Sequence, residues 1–466
     1  MNLLGLSYLL VAHFFSGRGV LRLFKAKLPQ SHTACLSMII GVAALSFVPC
    51  FLQLVKVPIT SESVSIGIGA LTCLLIIPLP SRFKFPVFKK LVLPHLYEWP
   101  FIVVLGVLMV LSIWRCFYFP PLSRDMLSGP ELIAEYTVRE HTMINSVFSI
   151  DLSTTNNYFK SPFITGLQII YKLLVCPFGQ LWLSVVFVSF TLWLYSLMRS
   201  FIHPLIGGLL MLFFISSSDL YAYSFLILYD YSNAVFFFCG FYFLYRYAEN
   251  KQVHDLTLSA FLFGLATYIR TETLVLVIMM APLLFVIARR SNMRAGKALL
   301  YTGVFIMASA IFYFLCMNVF IRNFVPIPFD VASQVNPHLA DVSVFFTKIW
   351  DISADLIFSG FGAREYGYFI FLFCGLLILD LCWIRRFNHA SLIALYGIVV
   401  VYVGLAFLGY LLPLFDLENT TKRGLFKILP LMLFYMFNSG VVLRLTAVIR
   451  KWEEQTKQEN RYNENG

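Results

Sequence analysis

The chain is built from long apolar stretches that alternate with short polar connections. About thirteen apolar stretches are present, near 3–16, 33–55, 63–80, 99–117, 181–198, 204–217, 223–246, 257–269, 272–288, 299–320, 366–384, 391–413 and 427–446. A straight span of a bilayer requires roughly twenty apolar residues, and several stretches are shorter, so the number of spans is defined to within one or two. Because helices satisfy their own backbone hydrogen bonds in lipid, the pattern predicts an all-α integral membrane protein.

One polar stretch, residues 118–179, stands apart because it is much longer than the other connections. Its segments GPELIAEYTVREHTMINSVF and ITGLQIIYKLLVCPF carry apolar residues at close to helical spacing, with polar residues between them. They predict two helices that lie in the membrane interface. The acidic residues of the stretch would then lie at a membrane surface; they are Asp125, Glu131, Glu135 and Glu140. Since water-soluble and lipid-borne groups meet there, the arrangement indicates an enzyme that works at the bilayer face.

Composition supports the same class. Hydrophobic residues make up 59% of the 466 residues, charged residues make up 13%, and the mean hydropathy is +0.80. This leaves far too little polar surface to cover a soluble globule of this size. We therefore predict a multi-pass membrane protein that contacts the lipid bilayer over most of its surface.

The basic residues predict the orientation. If residues 118–179 lie outside, most of the 35 Lys and Arg residues fall in the alternate, shorter connections, as the positive-inside rule expects for the cytoplasmic side. The N-terminus is then outside and the C-terminus inside. This topology also explains the net charge of +11, so the charge gives no reason to expect nucleic-acid binding. The sequence has no CxxC, HExxH, P-loop or GxGxxG motif, which leaves a metal or nucleotide site of those types unsupported.

The chain is predicted to divide into three parts. Residues 1–97 contain three apolar stretches, two basic connections and almost no acidic residues, which indicates a membrane scaffold. Residues 98–446 carry the acidic residues on the predicted outer side and form the catalytic module. Residues 447–466 form a cytoplasmic polar tail whose composition predicts disorder.

Two carboxylates are candidates for chemistry on their position alone. Asp125 follows the apolar stretch 99–117, where it can deprotonate an acceptor hydroxyl or amine, or bind a divalent cation. Asp230 lies about two turns inside the stretch 223–246, and an ionisable group within a spanning helix is a functional candidate by default. The alternative role of Asp230 is a buried hydrogen bond with a neighbour: Tyr229, Tyr231 or Asn233.

Basic residues near the outer ends of apolar stretches are candidates for binding the phosphate of a lipid. They are Lys160, Arg270, Lys422 and Arg423. A guanidinium can bind two phosphate oxygens at once and stabilise phosphate as a leaving group. For Arg270 the alternative is an ion pair with Glu272 or snorkelling to the interface, and for Arg423 it is snorkelling at the start of the last helix.

The order of segments from residue 98 onward resembles a known superfamily. The first part of this order resembles the first outer loop of the glycosyltransferase-C superfamily. It consists of an apolar helix, a Pro-containing link, an acidic residue, the helix AEYTVREHTM and then NYFKSPFITGLQIIYKLLVCPFG. The branch that it is most similar to contains the protein mannosyltransferases and the lipid A aminoarabinose transferases (glycosyltransferase family 39). FGLATYIRTETLVLVI is similar to the short helix and Arg-Thr/Pro-Glu turn of that branch, and TTKRGLFKILPLMLFYM to its final outer loop. The resemblance covers roughly residues 98–446.

The resemblance implies roles for particular residues. Asp125 takes the place of the catalytic base or metal-associated carboxylate, with Glu131 as its rival, because the family's adjacent Asp-Glu pair is missing here. Arg423, with Lys422 beside it, matches the basic residue that binds the phosphate of the donor lipid. Lys160 stands where the aminoarabinose branch has an acidic residue before a basic one, so no metal ligand is carried over to it. No cofactor is obligatory, and the use of a divalent metal stays open.

We therefore expect an inverting glycosyltransferase that moves a sugar from a polyprenyl-phosphate donor to a glycolipid, glycan or protein acceptor on the outer face of a bacterial inner membrane. Its cavity would be lined by Asp219, Asp230, Arg270 and Glu272, although Asp219 can also simply cap its helix. A polysaccharide polymerase or ligase that uses a polyprenyl-pyrophosphate glycan is the first alternative. A flippase or transporter of lipid-linked sugars is the second; it predicts inverted repeats, which the sequence does not show.

Overall fold

The computed structural model describes residues 2–77, 94–122, 127, 129–150, 160–325, 341–354, 365–385, 387–412 and 422–464. These residues form helices joined by turns, and no β-strand occurs among them. The all-helical prediction is confirmed for this part of the chain. Asp125 and the side chain of Lys422 lie outside the described residues.

The helices follow one another as α1 (Leu3–Leu23), α2 (Gln30–Leu45), α3 (Val48–Leu54), α4 (Ser61–Ile76), α5 (Trp99–Tyr118), α6 (Pro130–Glu140), α7 (Val147–Ile150), α8 (Pro162–Leu174), α9 (Leu181–Phe201), α10 (Pro204–Ile215), α11 (Ser218–Ala222), α12 (Tyr229–Asn250), α13 (Val253–Ile269), α14 (Thr273–Arg290), α15 (Ala295–Phe314), α16 (Val342–Ser353), α17 (Phe369–Leu379), α18 (His389–Leu411), α19 (Ile428–Asn438) and α20 (Gly440–Glu464). Short π-helices at Leu315–Ile321 and Asp380–Ile384 extend α15 and α17, and a 3-10 turn at Leu425–Lys427 leads into α19.

Seven helical segments of the described ranges are long and apolar enough to cross a membrane: Leu3–Leu23, Gln30–Leu54, Leu96–Tyr118, Leu181–Phe201, Thr273–Arg290, Ala295–Phe324 and His389–Leu411. The helices α19 and α20 form a further candidate, a pair bent by 48°. Each apolar stretch predicted from the sequence overlaps at least one helix. The protein is thus a helical, multi-pass membrane protein.

The N-terminal helices α1 and α2 pack closely because glycines face the neighbouring backbone. A Cβ atom on Gly41 would lie 1.8 Å from the carbonyl oxygen of His13, and one on Gly17 would lie 1.9 Å from that of Ser37. Small residues allow helix backbones to approach in membrane proteins, where van der Waals packing drives helix association. Since α2 also packs against α9, the N-terminal helices are joined to the following bundle.

The two helices predicted in the polar stretch exist as α6 and α8, but only α6 has an exposed polar side. In α6 the Ile133 side chain is buried and the Arg139 side chain is 66% exposed. Residues 162–171 of α8 are all buried, and α2, α3, α4, α6, α9 and α13 pack around them. Neighbouring helices and not lipid therefore cover the apolar residues of α8, and the location of this helix at the membrane interface stays a prediction.

The connection after α6 is anchored to the N-terminal helices. His141 ends α6 in the left-handed conformation (φ 59°), and its carbonyl oxygen accepts a hydrogen bond from the Ile59 N–H at 2.8 Å. The side-chain oxygen of Gln53 accepts bonds from the Met143 N–H at 2.7 Å and from the Thr142 hydroxyl at 3.1 Å. These bonds attach the polar loop to α3 and to the α3–α4 connection.

Two local predictions were wrong. Leu228 is extended (φ −143°), α12 begins at Tyr229, and Asp230 therefore lies in the first turn of α12 and not two turns inside a helix. The tail that composition predicted to be disordered continues α20 as a helix to Glu464. Lys, Glu and Gln favour helices, and the elongation of an existing helix avoids the cost of nucleation.

The close packing of α1 on α2 predicts a specific sensitivity. Gly41→Ala places a methyl group against backbone that cannot move aside alone, and we expect a loss of about 1–3 kcal/mol in the free energy of unfolding. The measurement is thermal unfolding of purified protein in detergent. Gly303→Ala is the matched control, because a Cβ there meets nothing within 4 Å. Equal unfolding temperatures for the two variants would contradict the packing described.

Candidate functional site

Asp230, Arg270 and Glu272 form an ion-pair cluster at one end of α12, α13 and α14. Arg270 follows the last residue of α13 in an extended conformation (φ −137°), and Glu272 directly precedes α14. The Arg270 Nη1 group donates to Asp230 Oδ1, and its Nε group pairs with Glu272 Oε1. The Asp230 side chain is only 2% exposed, so one guanidinium pairs with two carboxylates largely away from water.

Hydrogen bonds one turn further along α12 hold the same corner together. The Asn233 side-chain amide donates to the Ala266 carbonyl oxygen at 2.7 Å and to the Thr273 hydroxyl at 3.1 Å. All three residues belong to different helices, so α12, α13 and α14 are connected directly below the ion pairs. The end of α13, which Arg270 follows, is therefore held to α12 and α14 by bonds other than the ion pairs.

Four cations lie in the neighbourhood of Asp230. Arg270 is in contact with it, and Arg423, Lys427 and Lys160 lie near enough to interact with its charge. Arg423 and Lys427 belong to the segment that leads into α19, and Lys160 precedes α8. Segments that are far apart in the sequence thus bring positive charge to one place.

Lys427 is a member of this cluster that the sequence analysis missed. Its side chain is 1% exposed, and within the described ranges no carboxylate is in ion-pair contact with its ammonium group. The sequence contains a signal that could have identified it. Lys427 is the first residue of the apolar stretch 427–446, and an ionisable group in such a stretch is a functional candidate. The same argument had selected Asp230.

A second group of residues borders the cluster on the side of α11 and α17. Tyr223 lies near Asp219, Glu365 and Arg423. Its ring centroid lies 4.6 Å from that of Phe426, in the 3-10 turn beside Lys427. Asp219, in the first turn of α11, therefore belongs to the border of the cluster.

Glu131 lies in a different ion-pair cluster, between α6 and α8. Lys172 Nζ is 2.8 Å from Glu131 Oε1 and 2.8 Å from Glu135 Oε2, and the Gln168 amide also donates to Glu131. Burial raises the pKa of the Glu131 carboxyl, although Lys172 and Gln168 act in the opposite direction. In this structure Glu131 joins two helices of the polar loop.

The cluster around Asp230 has the charge and the setting of an anion site. Electrostatic attraction is stronger where water is excluded, and guanidinium groups match the geometry of phosphate oxygens. Asp230 and Glu272 are both engaged by Arg270, so neither is a ready base for an acceptor proton. In the described part of the chain no group of three or more His, Cys, Asp or Glu side chains could hold a metal ion. These residues therefore do not fit a metal site.

Comparison with known proteins gives no relative. No protein-family model matches the chain, and neither the curated proteins nor the solved structures yield a match. The function must therefore be argued from the residues and the helices of this chain.

The Arg270 ion pairs predict a strong dependence of stability on each partner. Asp230→Ala leaves a buried guanidinium with one carboxylate, and we expect a loss of about 3–5 kcal/mol in the free energy of unfolding. The double variant Asp230→Ala/Arg270→Ala should lose less than the sum of its single changes, because the unpaired charge is also removed. Thermal unfolding in detergent provides the measurement.

The control for this prediction is an exposed ion pair. Arg139 lies 2.9 Å from Glu135, and Arg139→Ala should lower the free energy of unfolding by less than about 1 kcal/mol. If Asp230→Ala costs no more than Arg139→Ala, the Arg270 pairs do not stabilise the bundle.

The Glu131–Lys172 pair predicts a pH effect. In Lys172→Met, Glu131 remains buried without its cation, so its pKa in the folded state rises further above the unfolded value. In the folded variant the carboxyl therefore favours its protonated form. The folded state of the variant is stabilised by this at low pH, and the stabilisation is lost as the pH rises through the folded pKa of Glu131. We expect the variant to unfold at a clearly lower temperature than wild type at pH 8 and at a more similar temperature at pH 5. The double variant Lys172→Met/Glu131→Gln should lose this pH dependence, and a difference independent of pH would contradict the assignment.

Proposed function

We propose that this chain is a membrane glycosyltransferase that moves a sugar from a polyprenyl-phosphate donor to a hydroxyl or amine of a glycolipid, glycan or protein. The observation that carries the proposal is the group of four cations around Asp230, at the ends of apolar helices. A polyprenyl phosphate keeps its tail in the bilayer and its phosphate at the interface. An enzyme that uses such a donor needs positive charge at that depth.

The ion pairs of Arg270 prepare it for this role. A guanidinium has five N–H donors, so contacts with Asp230 and Glu272 leave donors for a further anion. Since the two carboxylates hold the group in place, little conformational entropy is lost when phosphate binds. We assign Arg423 and Lys427 to the donor phosphate beside Arg270, with Lys160 and Lys422 at the edge of the site.

The proposed reaction is a displacement at the anomeric carbon. The acceptor oxygen or nitrogen forms a bond to that carbon, the bond to the phosphate oxygen breaks, and the polyprenyl phosphate leaves with the electron pair. Cations beside the leaving oxygen stabilise the charge that develops there. A carboxylate must take the acceptor proton, and we assign this role to Asp125 because Glu131 is bound by Lys172 and Gln168.

The proposal includes a topology. We count about thirteen spans, the number proposed from the apolar stretches. They are the seven long apolar segments, the bent pair α19–α20, the helix α12 and the shorter apolar helices α4, α10, α13 and α17. Residues 118–179 and the cation cluster would lie on the outer face of a bacterial inner membrane. The basic connections would face the cytoplasm.

The test is transfer of a radiolabelled sugar from polyprenyl-phosphate donors by purified protein in detergent. Asp125→Asn and Arg423→Ala should each lower the rate by at least about 100-fold, the usual effect of removing a general base or a charge-stabilising donor. Arg450→Ala removes an exposed cation of α20 and is the matched control, with an expected rate equal to wild type.

Other outcomes separate the alternatives. Full transfer in both well-folded variants would remove Asp125 and Arg423 from the mechanism. Transfer of a whole glycan from a polyprenyl-pyrophosphate carrier, without transfer of single sugars, would indicate a polymerase or ligase. Movement of lipid-linked sugar across proteoliposomes without any transfer would indicate a flippase.

A further inference from the structure

An apolar groove of about 440 Å³ lies between α13 and α15. Its walls run from Val253 to Phe261 on α13 and from Leu300 to Phe312 on α15. The ring of Phe261 lies 5.1 Å from that of Phe24 and 5.5 Å from that of Phe312, so aromatic rings close the floor. The groove is therefore a preformed apolar surface with room for a flexible chain.

The outer wall of the groove faces away from the protein. Leu300, Val304 and Ile311 are each more than half exposed, although they lie on an apolar helix. Residues 300–312 extend for about 18 Å along the helix axis. This length is close to the roughly 15 Å depth of hydrocarbon in a single leaflet.

Positive charge lies at one end of the groove. The Lys297 ammonium is 5.9 Å from the ring centroid of Tyr301, which lines the groove one helical turn further on. Lys251 is exposed and precedes Val253, the first lining residue of α13, by two positions. Arg290 lies near Lys251, and the neighbouring carboxylate, Glu249, is 2.8 Å from His389.

We propose that this groove binds one acyl chain of an anionic phospholipid, whose phosphate lies between Lys297 and Lys251. Apolar walls of one leaflet's depth fit an acyl chain, and the cations at one end fit a negatively charged headgroup. A zwitterionic lipid offers the same chains without the net charge, so it should bind less tightly.

The groove is separate from the cation cluster around Asp230. The two lie towards opposite ends of α12, whose 22 residues span about 33 Å, a length similar to the hydrocarbon core of a bilayer. A lipid in the groove therefore has its headgroup at the membrane face opposite to the cluster. The inference does not depend on the proposed transferase activity.

The test is native mass spectrometry of the delipidated full-length protein, titrated with dioleoyl phosphatidylglycerol or dioleoyl phosphatidylcholine. We expect tighter binding of the phosphatidylglycerol. Lys297→Ala and Lys251→Ala should each weaken its apparent affinity about five-fold, which corresponds to about 1 kcal/mol per cation near a lipid phosphate. The affinity for phosphatidylcholine should change little in these variants.

A second pair of variants tests the groove itself. Val304→Trp fills it and should abolish phosphatidylglycerol binding, whereas Met307→Trp changes an exposed position of the same helix outside the groove and should not. Equal affinities for the two lipids, or binding unchanged in Val304→Trp, would overturn the proposal. A dimer that Val304→Trp converts to a monomer would also overturn it, because a second copy of the chain would then occupy the groove.

Discussion

Water is nearly absent from the interior of a lipid bilayer, so a charged group placed there must find its partner within the protein. Arg270 meets this requirement through Asp230 and Glu272, and the meeting of these three side chains determines where α12, α13 and α14 converge. Glu98 shows the same constraint near another end of the bundle. Its side chain is fully buried, and it accepts bonds from Tyr195 at 2.8 Å and from Arg199 at 2.9 Å. Each of these two sets of ion pairs thus fixes a contact between helices that apolar packing alone would leave free to slide.

The basic residues of the protein are of two kinds, which differ in how far they are removed from water. Those around Asp230 converge from three segments of the chain. Lys251 and Lys297 are instead exposed, the first in the connection before α13 and the second in the first turn of α15. The group around Asp230, in which only Lys427 is fully buried, is the one proposed to bind an anion that enters with its own lipid tail. Exposed cations next to an apolar groove are suited to a lipid that remains in its leaflet. α12 connects the two regions and sets the distance between them.

The N-terminal helices gain a role from the structure that their sequence did not reveal. Gln53 and Ile59 bind the polar loop through residues 141–143, which lie more than eighty positions later in the chain. The buried helix α8 continues this contact, because α2, α3 and α4 pack against it. The helices α2, α3 and α4 thus support residues 141–143 and α8 of the polar stretch, in addition to contributing apolar segments.

The sequence by itself determined the class of the protein and the places of its helices, because apolar runs form helices through hydrogen bonds within four residues. It also identified Asp230, Arg270 and Glu272 as unusual, since charge in or beside an apolar run is visible locally. Only the tertiary structure decided which charges are partners. Arg270 forms ion pairs with two carboxylates, Glu131 forms one with Lys172, and Lys427 lies in the cluster around Asp230. Composition likewise could not show that α8 is enclosed by protein. The physical reason is that ion pairs form between groups that are close in space. That closeness is set by the packing of helices whose segments are remote in the chain.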